Sequence, residues 1–205
     1  MQYRQGRLRS AIVEVLLLHA YDNHLDQLTA TAARVCNALR QAGIDYRVVG
    51  GLAVLFHVQS RDPLAARLTK DVDLAVNRAD LARISQAVSS LGLTHRHVAG
   101  VDMLVDAVAP KAKSGVHLLF AGEKVRPTDL EPIPALSDPG VDEQGILVTS
   151  VASIVRMKLI SFRLRDKTHI IDMDSVGLIT PEIEASLPDA LRERLQQVRV
   201  EDRGA

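Results

Sequence analysis

Two short stretches decide how this chain reads: VVGGLAVLFH at residues 48–57 and RLTKDVDLAV at residues 67–76. Tyr46–Val49 is an apolar run rich in β-branched residues, which predicts a strand. Gly50-Gly51 breaks it, and Leu52–His57 then reads as the start of a helix. Glycines at such a turn permit φ > 0 and let the backbone come close to a ligand. The helix start that follows offers free N–H groups and the positive end of a dipole, a natural seat for phosphate.

The second stretch predicts a strand over Lys70–Val76. Alternate strand residues share a face, so Val72, Leu74 and Val76 point one way and Asp71 and Asp73 the other. Like charges side by side on a strand repel. Either that face is simply wet, or something positive belongs beside it. Paired carboxylates are hard oxygen donors and suit Mg²⁺, which completes its shell with water and substrate phosphates. An anion site and a cation site are thus expected next to each other.

Gly-Gly after a strand, followed about twenty residues on by an Asp-x-Asp strand, resembles the nucleotidyltransferase superfamily of DNA polymerase β-like and minimal nucleotidyltransferases. Within it the chain looks most like the AbiEii-type abortive-infection toxins and their relatives, through Arg67-x-Thr69-Lys70-Asp71 and the later MKLISFRLRDKTHIIDM. The resemblance spans about residues 30 to 180. It implies an α/β (α+β) nucleotidyltransferase fold, a mixed sheet flanked by helices with a helical C-terminal part. It implies transfer of a nucleoside monophosphate from an NTP to an acceptor hydroxyl, with Mg²⁺ (or Mn²⁺) on Asp71 and Asp73. Gly50, Gly51, Thr69, Lys70 and Lys158 would hold the nucleotide. The acceptor would be a tRNA end or a protein side chain, and the protein a toxin with a separately encoded antitoxin. The same resemblance calls for a third carboxylate on a later strand. His117 stands at that position, in Val116–Leu119, as a replacement ligand or base; Asp102, Asp106 and Glu123 are the other candidates. With histidine there, a degenerate member that binds nucleotide or a partner without turnover is the rival reading.

Outward from this centre, helices are expected over 8–20, 22–42 and 79–91, with Gly43 and Gly92 ending the latter two. Residues 59–68 read as a loop. Two extended segments follow, at 97–107 and 115–122, joined by a return through VAPKAKSG. Residues 123–150 carry four prolines and read as a loop or surface arm. Ser150–Arg165 is expected as one helix capped by Ser150, with further helices near 168–176 and 181–195 and a frayed end after 200. The division expected is a core at 1–125 and an arm with helical part at 126–205. Arg156, Lys158, Arg163, Arg165, Lys167 and His169 make a locally basic stretch that reads as a solvated face or a nucleic-acid patch.

Composition narrows the classes. Of 205 residues 47% are hydrophobic and 24% charged, an ordinary globular balance. Lys+Arg and Asp+Glu are both 25, so no overall basic footprint for nucleic acid exists. Aromatics are 3% with no tryptophan, which argues against a base-stacking platform. Cys36 is the single cysteine, which excludes an internal disulfide and a cysteine zinc site and fits a cytoplasmic protein. The apolar AIVEVLLLHAY near the N-terminus is short for a membrane span and contains Glu14. A zinc hydrolase built on His57, His95, His97 and His117 lacks any H-E-x-x-H helix signature.

Overall fold

A computed structural model of the chain describes residues 23–110, 115–137, 139–143 and 145–204. The helix expected over 8–20 lies outside them. The next helix, α1, covers 23–41 and buries Leu28, Ala32, Val35, Cys36 and Leu39 along the face set by its three- and four-residue spacing.

The chain then enters the centre of a seven-stranded mixed sheet. Strand β1 is Tyr46–Val49, buried throughout. Helix α2 is Gly50–Gln59, so it begins two residues earlier than expected, with Gly50 itself at φ +67 turning the chain out of the strand. Most of α2 is apolar on every side and buried, as a helix inside the core must be. Strand β2 is Val72–Val76; Asp71 therefore sits just before it rather than within it. β2 lies antiparallel to β1, with Asp73 opposite Val49. After a single turn at Arg78–Asp80, helix α3 (Leu81–Ser89) places Ile84 and Val88 in the core.

Residues 93–106 form an antiparallel hairpin, β3 (Leu93–Val98) and β4 (Val101–Asp106), where one extended segment was expected. Ala99 and Gly100 make its two-residue turn at φ 50 and 78. Strand β5 (Val116–Phe120) returns antiparallel to β4 and parallel to β2. The expected surface arm also contributes to the sheet. β6 (Val141–Glu143) and β7 (Ile146–Val148) form a hairpin whose β7 pairs in parallel with β1. The full order is β3-β4-β5-β2-β1-β7-β6, so the sheet runs across the 125/126 boundary.

The C-terminal part is helical: α4 (Val151–Ser161), α5 (Leu164–Ser175), α6 (Pro181–Ser186) and α7 (Asp189–Arg203). Ser150 caps α4, its side chain accepting from Ser153 N–H as expected. The expected single helix over 150–165 is broken, because Phe162 adopts φ 51 and ends α4. Arg194 of α7 holds that end. It donates to the carbonyls of Leu159 and Ile160 at 2.7 and 2.8 Å, and its guanidinium sits over the Phe162 ring. Leu159, Ile160, Ile170, Met173, Leu191, Leu195 and Val198 join the same core cluster as the sheet. No helix among the described residues is long and apolar enough to cross a membrane.

Candidate active site

The register of the sheet builds the site. Asp73 of β2 pairs with His117 of β5, and His117 with Met103 of β4, so these three side chains share one face. His117 donates from Nδ1 to Asp73 Oδ1 at 3.0 Å. That hydrogen bond, against a smaller opposing effect of burial, raises the His117 pKa above its ordinary value, and the charges of Asp73 and Asp71 add to the rise. Both carboxylates therefore act on one imidazole. Their side chains are a third and a quarter exposed, so a ligand can reach them.

Gly50 fits against this pair. A Cβ built on it would fall inside the Asp73 carboxylate, and its φ of +67 already disfavours any L side chain. Gly51 is tight against Thr69 in the same way, with the His169 ring just beyond. The Gly-Gly turn is thus close-packed on Asp73 on one side and on Thr69 on the other.

A cavity of about 350 Å³ opens over Asp73 and His117. Its floor is the shared face of β2, β4 and β5; α4 and the start of α5 supply Met157, Lys158, Ser161, Arg163 and Asp166 as the opposite wall. Lys158 is 8% exposed and donates to Asp166 Oδ1 at 3.0 Å. Burial pushes the Asp166 carboxyl up, but the Lys158 charge and hydrogen bonds from Lys158, Ser161 and Arg163 outweigh it and hold it below the usual range. The left-handed Phe162 makes this pairing, since it folds α5 back so that Asp166 meets a lysine on the preceding helix.

The predicted residues therefore divide. Gly50, Asp73, His117 and Lys158 line this cavity. Thr69 and Lys70 line a second one, also about 350 Å³. Asp71 reaches toward that side, its Oδ2 3.9 Å from Arg165 Nη1, an exposed pair worth at most about 1 kcal/mol.

The other candidates for the third acid are elsewhere. Asp102 and Asp106 alternate with Met103 and so lie on the opposite face of β4 from Asp73 and His117. Asp102 accepts from His95 and His97 at 2.7 and 3.1 Å. Glu123 is held by Arg78 through two bonds of 2.6 and 2.7 Å. The four histidines of the zinc alternative do not converge: His57 is buried and donates to the Thr149 carbonyl, and His117 faces away from His95 and His97. Among the described residues no group of three or more His, Cys, Asp or Glu is placed to hold a metal ion.

The basic stretch on α4 and α5 is largely paired. Arg156 contacts Glu131 and Lys167 contacts Glu201, at 2.6 and 2.8 Å. His169 is buried, and burial with the nearby Lys158 charge pushes its pKa down to about 4. Asp166, His169 and Asp172 were not singled out from sequence, or in the case of His169 only as part of that patch. They sit on one helix at spacings of three, a signal that they share a face.

Comparison with solved structures decides the fold. An antigenic nucleotidyltransferase-like protein from Paracoccidioides brasiliensis superposes at TM-score 0.59, with 21% identity over 86% of this chain and 88% of that one. This chain has the nucleotidyltransferase fold. The polyadenylate synthase of Megavirus superposes at TM-score 0.50, with 9% identity over 84% of this chain and 38% of that one. No family model and no curated protein matches the sequence.

Proposed function

We propose that the protein is a nucleotidyltransferase that moves a nucleoside monophosphate from an NTP to an acceptor hydroxyl and releases pyrophosphate. The observation that carries this is the meeting of Gly50, Asp73 and His117 at one end of β1, β2 and β5, with Asp71 beside them. The donor set fits a hard divalent cation. Two partly exposed carboxylates both favour the charged form of the His117 imidazole beside them, and carboxylate oxygens are what Mg²⁺ or Mn²⁺ takes. Asp71 and Asp73 would hold it. When bound, such an ion neutralises charge on the transferring phosphoryl group and orients the attacking oxygen.

The rest of the work falls to this chain's own groups. The N–H groups at the start of α2, beside Gly50 and Gly51, donate to phosphate oxygens. Lys158, fixed by Asp166, adds a positive charge from the cavity wall. The apolar side chains of the first cavity, Met103, Leu119 and Met157 among them, exclude water from the base and ribose. His117 takes the place of the third acid and orients Asp73. Transfer of this type needs position and charge more than covalent chemistry. The acceptor on this reading is a tRNA end or a protein side chain, and the biological role that of an AbiEii-like toxin countered by an antitoxin.

One observation favours a second reading. His117 supplies no negative charge, and among the described residues no third carboxylate joins Asp71 and Asp73. On that reading the protein binds nucleotide without turnover. Purified protein with each α-labelled NTP, Mg²⁺ and total RNA separates the two. Label entering RNA or protein with the wild type, and not with the Asp71→Asn, Asp73→Asn double variant, supports transfer. Mg²⁺-dependent nucleotide binding without transfer selects the second reading. No binding at all refutes both.

A further inference from the structure

Lys158 and Asp166 meet only because the chain turns between them. They are 8 residues apart, and along one continuous helix their Cα atoms would stand about 12 Å from each other, too far for the 3.0 Å bond they make. The turn is Phe162, which ends α4 at φ 51. Left-handed backbone is disfavoured for a residue that carries a Cβ, and glycine is the usual choice at such a helix end. Strained backbone persists only where its surroundings over-determine it, and it gathers at functional sites. Here the residues on either side of it, Ser161 and Arg163, line the cavity over Asp73.

Helix α7 supplies what over-determines the turn. Arg194 donates from Nη1 to the carbonyls of Leu159 and Ile160 at 2.7 and 2.8 Å. In a helix that ran on past 162, those two carbonyls would accept from the N–H groups of Arg163 and Leu164. Arg194 therefore stands in for the donors of a continuing helix. The displaced Arg163 N–H donates instead to Asp166 Oδ2 at 3.2 Å, while Asp166 Oδ1 accepts from Lys158. The same guanidinium lies 4.6 Å from the Phe162 ring centroid. Lys167, bonded to Glu201 of α7 at 2.8 Å, lies 4.6 Å from that centroid too.

We infer that Arg194 is a positioning residue for Lys158. By taking the Leu159 and Ile160 carbonyls it holds Phe162 left-handed, and so keeps Asp166 on the Lys158 ammonium. It acts from α7 and does not itself line the cavity. The inference deepens the proposed function and rests on it only for what Lys158 then does, which is to present a fixed positive charge to a nucleotide phosphate. Without Arg194, residue 162 relaxes toward right-handed backbone, the Arg163 N–H returns to Leu159, and Lys158 loses its counter-charge.

The test uses the full-length protein and first reads the Lys158 ammonium with no nucleotide present. A buried, hydrogen-bonded ammonium is protected from exchange with water. Its signal is followed by nitrogen-edited NMR and assigned by its loss in Lys158→Met. The expected result is a signal in the wild type that vanishes in Arg194→Ala and survives in part in Arg194→Lys, which keeps a donor. It returns in the Phe162→Gly, Arg194→Ala double variant, because glycine adopts the left-handed turn unaided. A role confined to bracing the fold would not be repaired by removing the Phe162 side chain. Urea unfolding shows which variants are folded; where Arg194→Ala is not, Arg194→Lys takes its place, with and without Phe162→Gly. Affinity for each NTP with Mg²⁺ is read second. It should fall at least about tenfold in Arg194→Ala and recover in the double variant. If the wild type binds no NTP, the transferase reading fails, and the ammonium signal still decides the placement of Lys158. A folded Arg194→Ala protein that keeps the signal, or a loss that Phe162→Gly leaves unrepaired, overturns the inference.

Discussion

His117 donates to Asp73 across two strands that run parallel and in register, at 3.0 Å. The pair is fixed by the sheet and not by flexible side chains. A substitution at 117 therefore acts directly on Asp73.

Replacing His117 with aspartate puts a third carboxylate opposite Asp73. The account expects His117→Asp to tighten Mn²⁺ binding by about tenfold or more, or roughly 1.4 kcal/mol, since added negative charge favours a divalent ion. It also expects a loss of apo-protein stability, because two like charges then meet directly across a strand pair. Metal titration with and without denaturant reads both effects. Unchanged metal affinity would mean that position 117 does not face the metal.

Lys158 and Asp166 are both buried, so breaking the pair costs more than removing it. Asp166→Asn leaves an ammonium buried without its counter-charge, and a loss of about 3–5 kcal/mol in urea unfolding is expected. The double variant Lys158→Met, Asp166→Leu should recover most of that stability while losing nucleotide affinity. Equal losses in the single and double variants would show that the pair is not coupled.

Gly50 and Gly43 offer a matched comparison. Both have positive φ, +67 and +62, but a Cβ on Gly43 meets open space whereas one on Gly50 meets Asp73. Gly43→Ala should cost only the backbone strain, about 1 kcal/mol. Gly50→Ala should cost clearly more and abolish nucleotide binding. Similar unfolding midpoints for the two would remove the close packing on Asp73 as the reason for a glycine at 50.

Acid sensitivity should trace to His169. Its folded pKa of about 4 lies below the ordinary histidine value of 6.5, so between these limits the unfolded chain binds the extra proton. The resulting stability is fully present above pH 6.5 and is lost as pH falls toward 4. At about 1.4 kcal/mol per unit, the loss is about 3.5 kcal/mol at most. Asp166, held below the usual carboxylate range, adds a further loss in the same direction at lower pH. Urea midpoints at pH 7 and 4.5 should differ less in His169→Gln than in the wild type. An identical pH dependence would place the effect elsewhere.

The turn at Gly50 and the strand carrying Asp73 were legible because glycine punctuation and two-residue alternation are local signals. The Ala99-Gly100 turn was hidden, since valines at 98 and 101 continue the apolar run across it. The break at Phe162 leaves no trace in composition. No glycine or proline marks it, and it is held by Arg194 from more than thirty residues away. β6 and β7 are three residues each and exist through pairing with a distant strand. At the site, the register excluded Asp102 and Asp106 by one residue each, because a shift of one reverses the face. His169 looked like a member of a solvated stretch, and nothing local marked Asp166 beside it. Their burial comes from packing against α2, α4 and α7.

The most direct test of the central claim is a crystal grown with Mn²⁺ and a non-hydrolysable NTP, with the metal located by its anomalous signal. The account predicts a peak within about 2.0–2.3 Å of oxygens from both Asp71 and Asp73, with nucleotide phosphate completing the shell. A peak at Asp102 between His95 and His97, or none at Asp71 and Asp73 with nucleotide bound, would contradict it.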